Sequence, residues 1–188
     1  MVVNILVVCT ANQCRSPMAA AILQRELNRR GVQAQIRSGG TSVVGSAPAT
    51  HDAIVVMKAE GLDISTHRSR PLEPNEVDRS DIIITMTRAQ LREVATQSPA
   101  AFSRLFTLKE LARRAREHGR VEGEDVGAWI TRLSAGRRTT DLVGDDPVDD
   151  VEDPIGCPIG VYSAVARELA HAISSVVDAG WARGRDGV

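Results

Sequence analysis

Residues 2–8 form a predominantly apolar, β-branched run, and a short loop and the start of a helix follow at once. A strand that is apolar on both faces has to be covered on both faces, which is the situation of a central strand in a parallel sheet. This element confines the chain to an α/β architecture with helices above and below a sheet. In such folds the ligand site lies beyond the carboxyl ends of the strands. The stretch that occupies this place is Cys9-Thr10-Ala11-Asn12-Gln13-Cys14-Arg15-Ser16-Pro17. Ser16 is a candidate helix cap, and Pro17 suits a first helical turn.

The alternation continues along the chain. Residues 16–30 read as a helix with Ala19, Leu23 and Leu27 on one stripe and a stop at Gly31. Residues 33–37 read as a second strand, and 47–60 as a helix with Ala53, Val56 and Met57 inward. A third strand is expected over 82–86, with Thr87 capping a helix through residue 95. A fourth, short strand over 105–108 passes into a helix over 109–118, and the last helix runs from Cys157 or Gly160 to Val177. The predicted fold is an open, mostly parallel four-stranded sheet with helices on both faces. One domain is expected over residues 1–180, and 181–188 read as a loose tail. Residues 118–150 read as a long acidic loop or lid insertion with a short helix around Trp129.

Between Cys9 and Arg15 lie five residues, the pattern Cys-x5-Arg. Backbone N–H groups of such a loop converge on an anion, and the helix behind it aims its positive end at the same point. Arg15 offers a planar fork for two phosphate oxygens. A sulfur nucleophile is favoured in so electropositive a place. The plainer alternative is that Cys9 and Cys14 are small buried residues and Arg15 a surface charge.

The segment Val8-Cys9-x-x-Asn12-x-Cys14-Arg15-Ser16-Pro17 resembles the opening of the low-molecular-weight protein tyrosine phosphatases, a family that includes bacterial arginine phosphatases and thioredoxin-coupled arsenate reductases. Further segments resemble the family in its order: Arg37-Ser38-Gly39-Gly40-Thr41, Gly61-Leu62-Asp63-Ile64 with His67-Arg68-Ser69-Arg70, residues 81–87, residues 106–110, and Asp153-Pro154-Ile155-Gly156. The resemblance implies a two-step displacement on phosphorus, with Cys9 as nucleophile, a phosphocysteine intermediate, and Arg15 with the loop of residues 10–16 holding the phosphate. It implies that the Ser16 hydroxyl attends the sulfur and that Ser38 and His67, bonded to Asn12, keep the loop rigid. Asn tolerates left-handed backbone, which suits that position. Cys14 is implied as a redox partner of Cys9. Asp153 is implied as general acid and base, since it directly precedes the final helix; Asp146-Pro147 offers a second Asp-Pro. Cys157 matches no position of the family.

The resemblance implies no cofactor, and the chain shows no His, Cys or Asp cluster with metal spacing. The implied partner is a phosphorylated protein. With 23 Lys and Arg against 24 Asp and Glu, the net charge of −1 argues against nucleic-acid or membrane-surface binding. The first strand is too short for a signal peptide, and three cysteines suit a reducing compartment, so a cytoplasmic location is expected. Charge is nonetheless uneven: arginines crowd residues 104–120, while residues 141–153 hold only acidic charges. These read as two solvated faces, or as an acidic stretch that repels anions until a cationic partner arrives.

Substrate choice stays open. Tyrosine phosphatases of this family place aromatic residues on the pocket rim, where this chain has Val43, Val44, Ile155 and Gly156. Asp153-Pro154-Ile155-Gly156 with Tyr162 downstream looks closer to the arginine phosphatases, yet those carry a threonine where this chain has Gln13. Trp129 is a candidate for the missing ring, or a core residue. Two other classes are an arsenate reductase, for which residues 86–95 lack the relay cysteines though an external thiol would serve, and a non-catalytic phosphate-binding module, which would be expected to lose Cys9, Arg15 or the acid. A nucleotide P-loop is excluded by the missing Gly-Lys-Ser/Thr.

Overall fold

Strand β1 (Val3–Cys9) feeds two cores at once, because successive side chains point to opposite faces. Val3, Ile5, Val7 and Cys9 enter the larger core, and Leu6 and Val8 the smaller. In the computed structural model, which describes residues 2–142 and 147–181, β1 lies between β2 (Ala34–Gly40) and β3 (Ile82–Thr85), with β4 (Leu105–Thr107) beside β3. Every neighbouring pair is parallel, so the sheet is wholly parallel in the order β2-β1-β3-β4. The register sets Cys9 opposite Gly40 and Val8 opposite Thr85, which gathers three strand ends at one rim.

The larger core is built by α1 (Arg15–Asn28), α2 (His51–Ala59), α5 (Leu108–Glu117), α6 (Val126–Ser134) and α7 (Ile159–Gly180). The smaller core takes Val77 from α3 (Pro74–Arg79), Leu91 and Val94 from α4 (Arg88–Gln97), and Ala101 from the 3-10 turn Pro99–Arg104. The predicted inner residues of α1 and α2 are all buried. On α7, Tyr162, Val165, Ala166, Leu169, Ala172, Ile173, Val176 and Val177 recur at helical spacing and are buried. Leu6 and Val7 have no exposed surface, and each such side chain contributes about 1.5–3 kcal/mol of burial.

Three expectations change. The first helix begins at Arg15, its N-cap is Cys14 without a side-chain cap, and Ser16 turns inward toward the sulfur instead of capping. Residues 118–150, expected as a loop or lid with a short helix around Trp129, carry that helix as α6, but it packs into the core: Trp129 is fully buried and donates through Nε1 to the His118 carbonyl at 2.8 Å. Its ring lies so close to Gly180 that a Cβ there would approach it to 2.6 Å; Trp129 is a core residue and supplies no ring to the phosphate loop. Trp181, the first residue of the expected tail, meets the Trp129 ring edge-on at 5.6 Å. Residues 182–188 and Asp146 lie outside the described residues.

The uneven charges also find an explanation. Arg113 grips Asp149 with two bonds of 2.5 and 3.2 Å, and Arg138 pairs with Asp141 at 3.3 Å. Arg137 is buried between the Phe102 and Phe106 rings, 4.5 and 4.2 Å from their centres, and binds Glu110. The arginine-rich and acidic segments thus meet at the Arg113–Asp149 pair, while Asp141 is paired within its own turn.

Candidate active site

The loop after β1 is fastened to the end of β2 by main-chain bonds: Thr41 N–H donates to the Cys9 carbonyl at 3.0 Å, and Ser42 N–H to that of Thr10 at 2.9 Å. Gly40 is required there, since a Cβ would stand 2.5 Å from the Thr10 carbonyl oxygen and 3.1 Å from the Asn12 nitrogen. Asn12 turns the loop with φ of 53°, the one non-glycine residue with positive φ among those described.

Asn12 organises the surroundings through its side-chain amide and its carbonyl. Its Oδ1 accepts from the Arg70 N–H at 3.1 Å, which fixes the amide orientation because that group can only donate. Its Nδ2 then donates to Ser16 Oγ and Ser38 Oγ, both at 2.9 Å. Ser16 Oγ also lies 3.0 Å from Cys9 Sγ, where its proton can serve a thiolate or its free lone pair a thiol. The Asn12 carbonyl accepts from His67 Nε2 at 2.7 Å, so this ring nitrogen carries the hydrogen. Burial lowers the pKa of His67 below its ordinary 6.5, against the raising effect of that bond to Asn12. Among the described residues, the N–H groups of Ala11, Asn12, Gln13, Cys14, Arg15 and Ser16 donate to no protein acceptor. A run of unpaired N–H groups at a helix N-terminus is an anion cradle.

Arg15 is buried, with 5% of its side chain exposed, and runs from the helix start to the loop before α7. Its Nη1 donates to the Val151 carbonyl at 3.2 Å, its Nη2 pairs with Asp153 Oδ2, and its Nε is buried without a partner. Asp153 is 45% exposed, and its Oδ1 accepts from the Ile155 N–H at 3.2 Å. The loop after β1 and the carboxylate before α7, 138 residues apart in sequence, therefore meet through one guanidinium. The Cys14 thiol is pushed up to about 12, first by burial and then by Cys9 and Asp153, and lies 3.7 Å from Met18 Sδ. Cys157 is half-buried in the turn after Pro154, whose carbonyl accepts from its N–H.

The sequence reading did not single out Gln90, Arg70 or Glu76. Gln90 bonds Thr10 Oγ1 at 3.0 Å from the far side of the loop. Buried Glu76 on α3 binds Arg70 at 2.5 Å and Arg37 at 3.3 Å, which steadies the backbone that reaches Asn12. The Thr-x-x-Gln spacing at 87–90 was a readable capping-box signal; the reach to Thr10 had none. Val43 packs near Gly40 at the end of β2 and is followed by Val44 (92% exposed), while Ile155 (47% exposed) donates its N–H to Asp153. The five aromatic side chains are committed elsewhere: Phe102 and Phe106 around Arg137, Trp129 and Trp181 against each other, and Tyr162 in the larger core.

Residues 4–124 match the family model described as low molecular weight phosphotyrosine protein phosphatase. A probable low molecular weight protein-tyrosine-phosphatase, EpsP of Ralstonia nicotianae, is 40% identical over 111 residues, 59% of this chain and 74% of that protein. A protein-arginine-phosphatase of Geobacillus stearothermophilus is 29% identical over 175 residues, covering 93% of this chain and 94% of its own length. The crystal structure of a low molecular weight protein tyrosine phosphatase from T. tengcongensis superposes with a TM-score of 0.72 at 29% identity, over 94% of this chain and 98% of that one. The family match spans more than half of the sequence and includes the whole phosphate loop, so this chain is a phosphatase belonging to the low molecular weight phosphotyrosine protein phosphatase family.

Proposed function

We propose that residues 1–180 act as one catalytic unit that removes phosphate from protein side chains, with Cys9 as nucleophile and Asp153 as the acid and base. Cys9 Sγ attacks phosphorus as the bond to the leaving atom breaks, and the Asp153 carboxyl delivers its proton to that atom. The Arg15 fork and the unpaired N–H groups of residues 11–16 take the three equatorial oxygens as charge shifts onto them. Water then attacks the phosphocysteine, Asp153 takes its proton, and the Ser16 hydroxyl eases departure of the sulfur. The observation that carries this reading is the Arg15–Asp153 contact, which brings the acid to the nucleophile's own loop. Ser38 and His67 act through Asn12 as positioning residues. Cys14 is the redox partner: peroxide oxidises Cys9 to the sulfenic acid, which condenses with the Cys14 thiol to a disulfide and water. Its three free thiols suit the cytoplasm; no described helix is long and apolar enough to cross a membrane.

Phosphotyrosine is the substrate class for which the family is named. Phosphoarginine is the second reading, favoured by the aliphatic rim of Val43, Val44 and Ile155, which offers no ring to stack on an aryl phosphate, and by the alignment of an arginine phosphatase along nearly the whole chain. The test is metal-free hydrolysis of an aryl phosphate, followed by phosphotyrosine and phosphoarginine peptides in parallel. Cys9→Ser is expected to reduce turnover at least about a thousandfold while still binding inorganic phosphate. Asp153→Asn is expected to cost about a hundredfold, and more for poor leaving groups. An active Cys9→Ser protein would sink the mechanism; the ratio of the two peptide rates decides the substrate.

A further inference from the structure

We infer that Gln90 is a positioning residue of this reaction, holding the phosphate loop and the acid-bearing segment at one spacing through the turn at residues 86–90. The inference rests on the assignment of Cys9 and Asp153 made above. Gln90 is the third residue of α4 and is buried. Its Oε1 accepts from the N–H groups of Met86 and Thr87, at 3.0 and 3.1 Å. Those two groups can only donate, so the amide has one orientation and its Nε2 must face the other way. There it donates to Thr10 Oγ1 at 3.0 Å, on the residue directly after Cys9.

The same turn grips the acid side. The Met86 carbonyl accepts from Val151 N–H at 2.8 Å, and Arg88 N–H donates to Asp150 Oδ1 at 2.7 Å. Val151 in turn gives its carbonyl to Arg15 Nη1. Five residues therefore touch the nucleophile's loop on one flank and, two and three positions before Asp153, the acid's segment on the other. A helix cap alone would be served equally by Glu, which accepts the same two N–H groups. The amide donates to Thr10 Oγ1, whereas a carboxylate would hold Thr10 only with the bond reversed, the hydroxyl donating. Proton delivery depends on sub-ångström placement of the acid relative to the scissile bond, so this bracket acts on catalysis beyond its part in the helix.

The experiment compares wild type, Thr10→Val, Thr10→Ser, Gln90→Leu, Gln90→Glu and the Gln90→Leu/Thr10→Val double variant on aryl phosphates of graded leaving-group pKa. Inhibition by inorganic phosphate and the melting temperature are followed alongside. Thr10→Val and Gln90→Leu are expected to lower kcat/KM about tenfold for the poorest leaving group and to steepen its dependence on leaving-group pKa. Thr10→Ser keeps the acceptor and is expected to restore the wild-type slope. The double variant is expected to be no slower than the worse single one, since one bond is being cut. Gln90→Glu keeps both accepted N–H groups and can hold Thr10 by accepting its hydroxyl hydrogen, so it is expected to melt near wild type with a slope between those of wild type and Gln90→Leu. If Gln90→Leu fails to fold, exposed Thr10 still carries the test. A wild-type slope in Thr10→Val, or effects that add in the double variant, would overturn the inference. A flat slope in Asp153→Asn would instead overturn the acid assignment beneath it.

Discussion

The phosphate loop and the acid-bearing segment meet at Arg15 but are held by different chemistry. The loop is secured by short, mostly uncharged bonds among Asn12, Ser16, Ser38, His67 and Gln90, close to the sheet. The segment before Asp153 adds charge to its bonds with residues 86–88, Asp149 pairing with Arg113 partly in reach of water. Uncharged buried bonds are indifferent to salt and tolerate little displacement, whereas half-exposed ion pairs are screened and adjustable. The rigid half is the part that must match a phosphate's fixed tetrahedron. The half proposed to carry the acid is anchored at Asp150 and Val151, next to Asp153, and adjustable only in its outer ion pairs.

Breaking the rigid half has the largest expected effect. Gly40→Ala drives a methyl group into the Thr10 carbonyl and the Asn12 nitrogen, and is expected to cut kcat/KM about a hundredfold with weaker inhibition by inorganic phosphate. Arg113→Met leaves buried Asp149 without its cation. Because Arg113 is half-exposed, the expected cost is about 1–2 kcal/mol, or a few degrees of melting temperature by calorimetry, with phosphate inhibition unchanged.

A finer probe is pH. The folded protein holds His67 neutral by burial, so the unfolded chain takes up a proton near 6.5 while the folded one still resists. Stability from this group is present above pH 6.5 and lost as the pH falls through the lowered folded value. The melting temperature of wild type should therefore drop more between about pH 7 and pH 5 than that of His67→Gln. The smallest effect is salt: about 1 M sodium chloride should speed hydrogen exchange at Asp150 and Val151 and leave Asn12 and Gln13 unchanged.

The same division decided what could be read from the chain. Strand β1, its loop and α1 are contiguous, so apolar run, loop and helix start stood in one line of sequence. Cys9 and Arg15 were legible from spacing, and Asn12, Ser38, His67 and Asp153 through family resemblance. From local pattern Ser16 was legible as a cap, and only the resemblance pointed it at the sulfur, because its inward turn depends on Asn12 and Cys9 together. Helix α3 offers just six residues, with Val77 its one core side chain, too few for a period to show. The short helix around Trp129 was legible, but its place in the core was not, because Arg137 and Trp129 find their partners on other elements and no local pattern announces a cation against two phenyl rings.

The pairing of Trp129 with Trp181 has a practical consequence. Trp181 lines the same crevice as Val3, Val32 and Gln33, at the amino ends of β1 and β2. Cys9 stands at the other end of β1, about 20 Å along the strand. Both indoles of the chain are thus remote from the reacting sulfur, and tyrosine is represented once. Intrinsic emission will register the undocking of α7 from α6 and stay dark to an anion at the loop. Unfolding can accordingly be followed optically at any phosphate concentration, and the ligand's affinity read from the displacement of the midpoint alone.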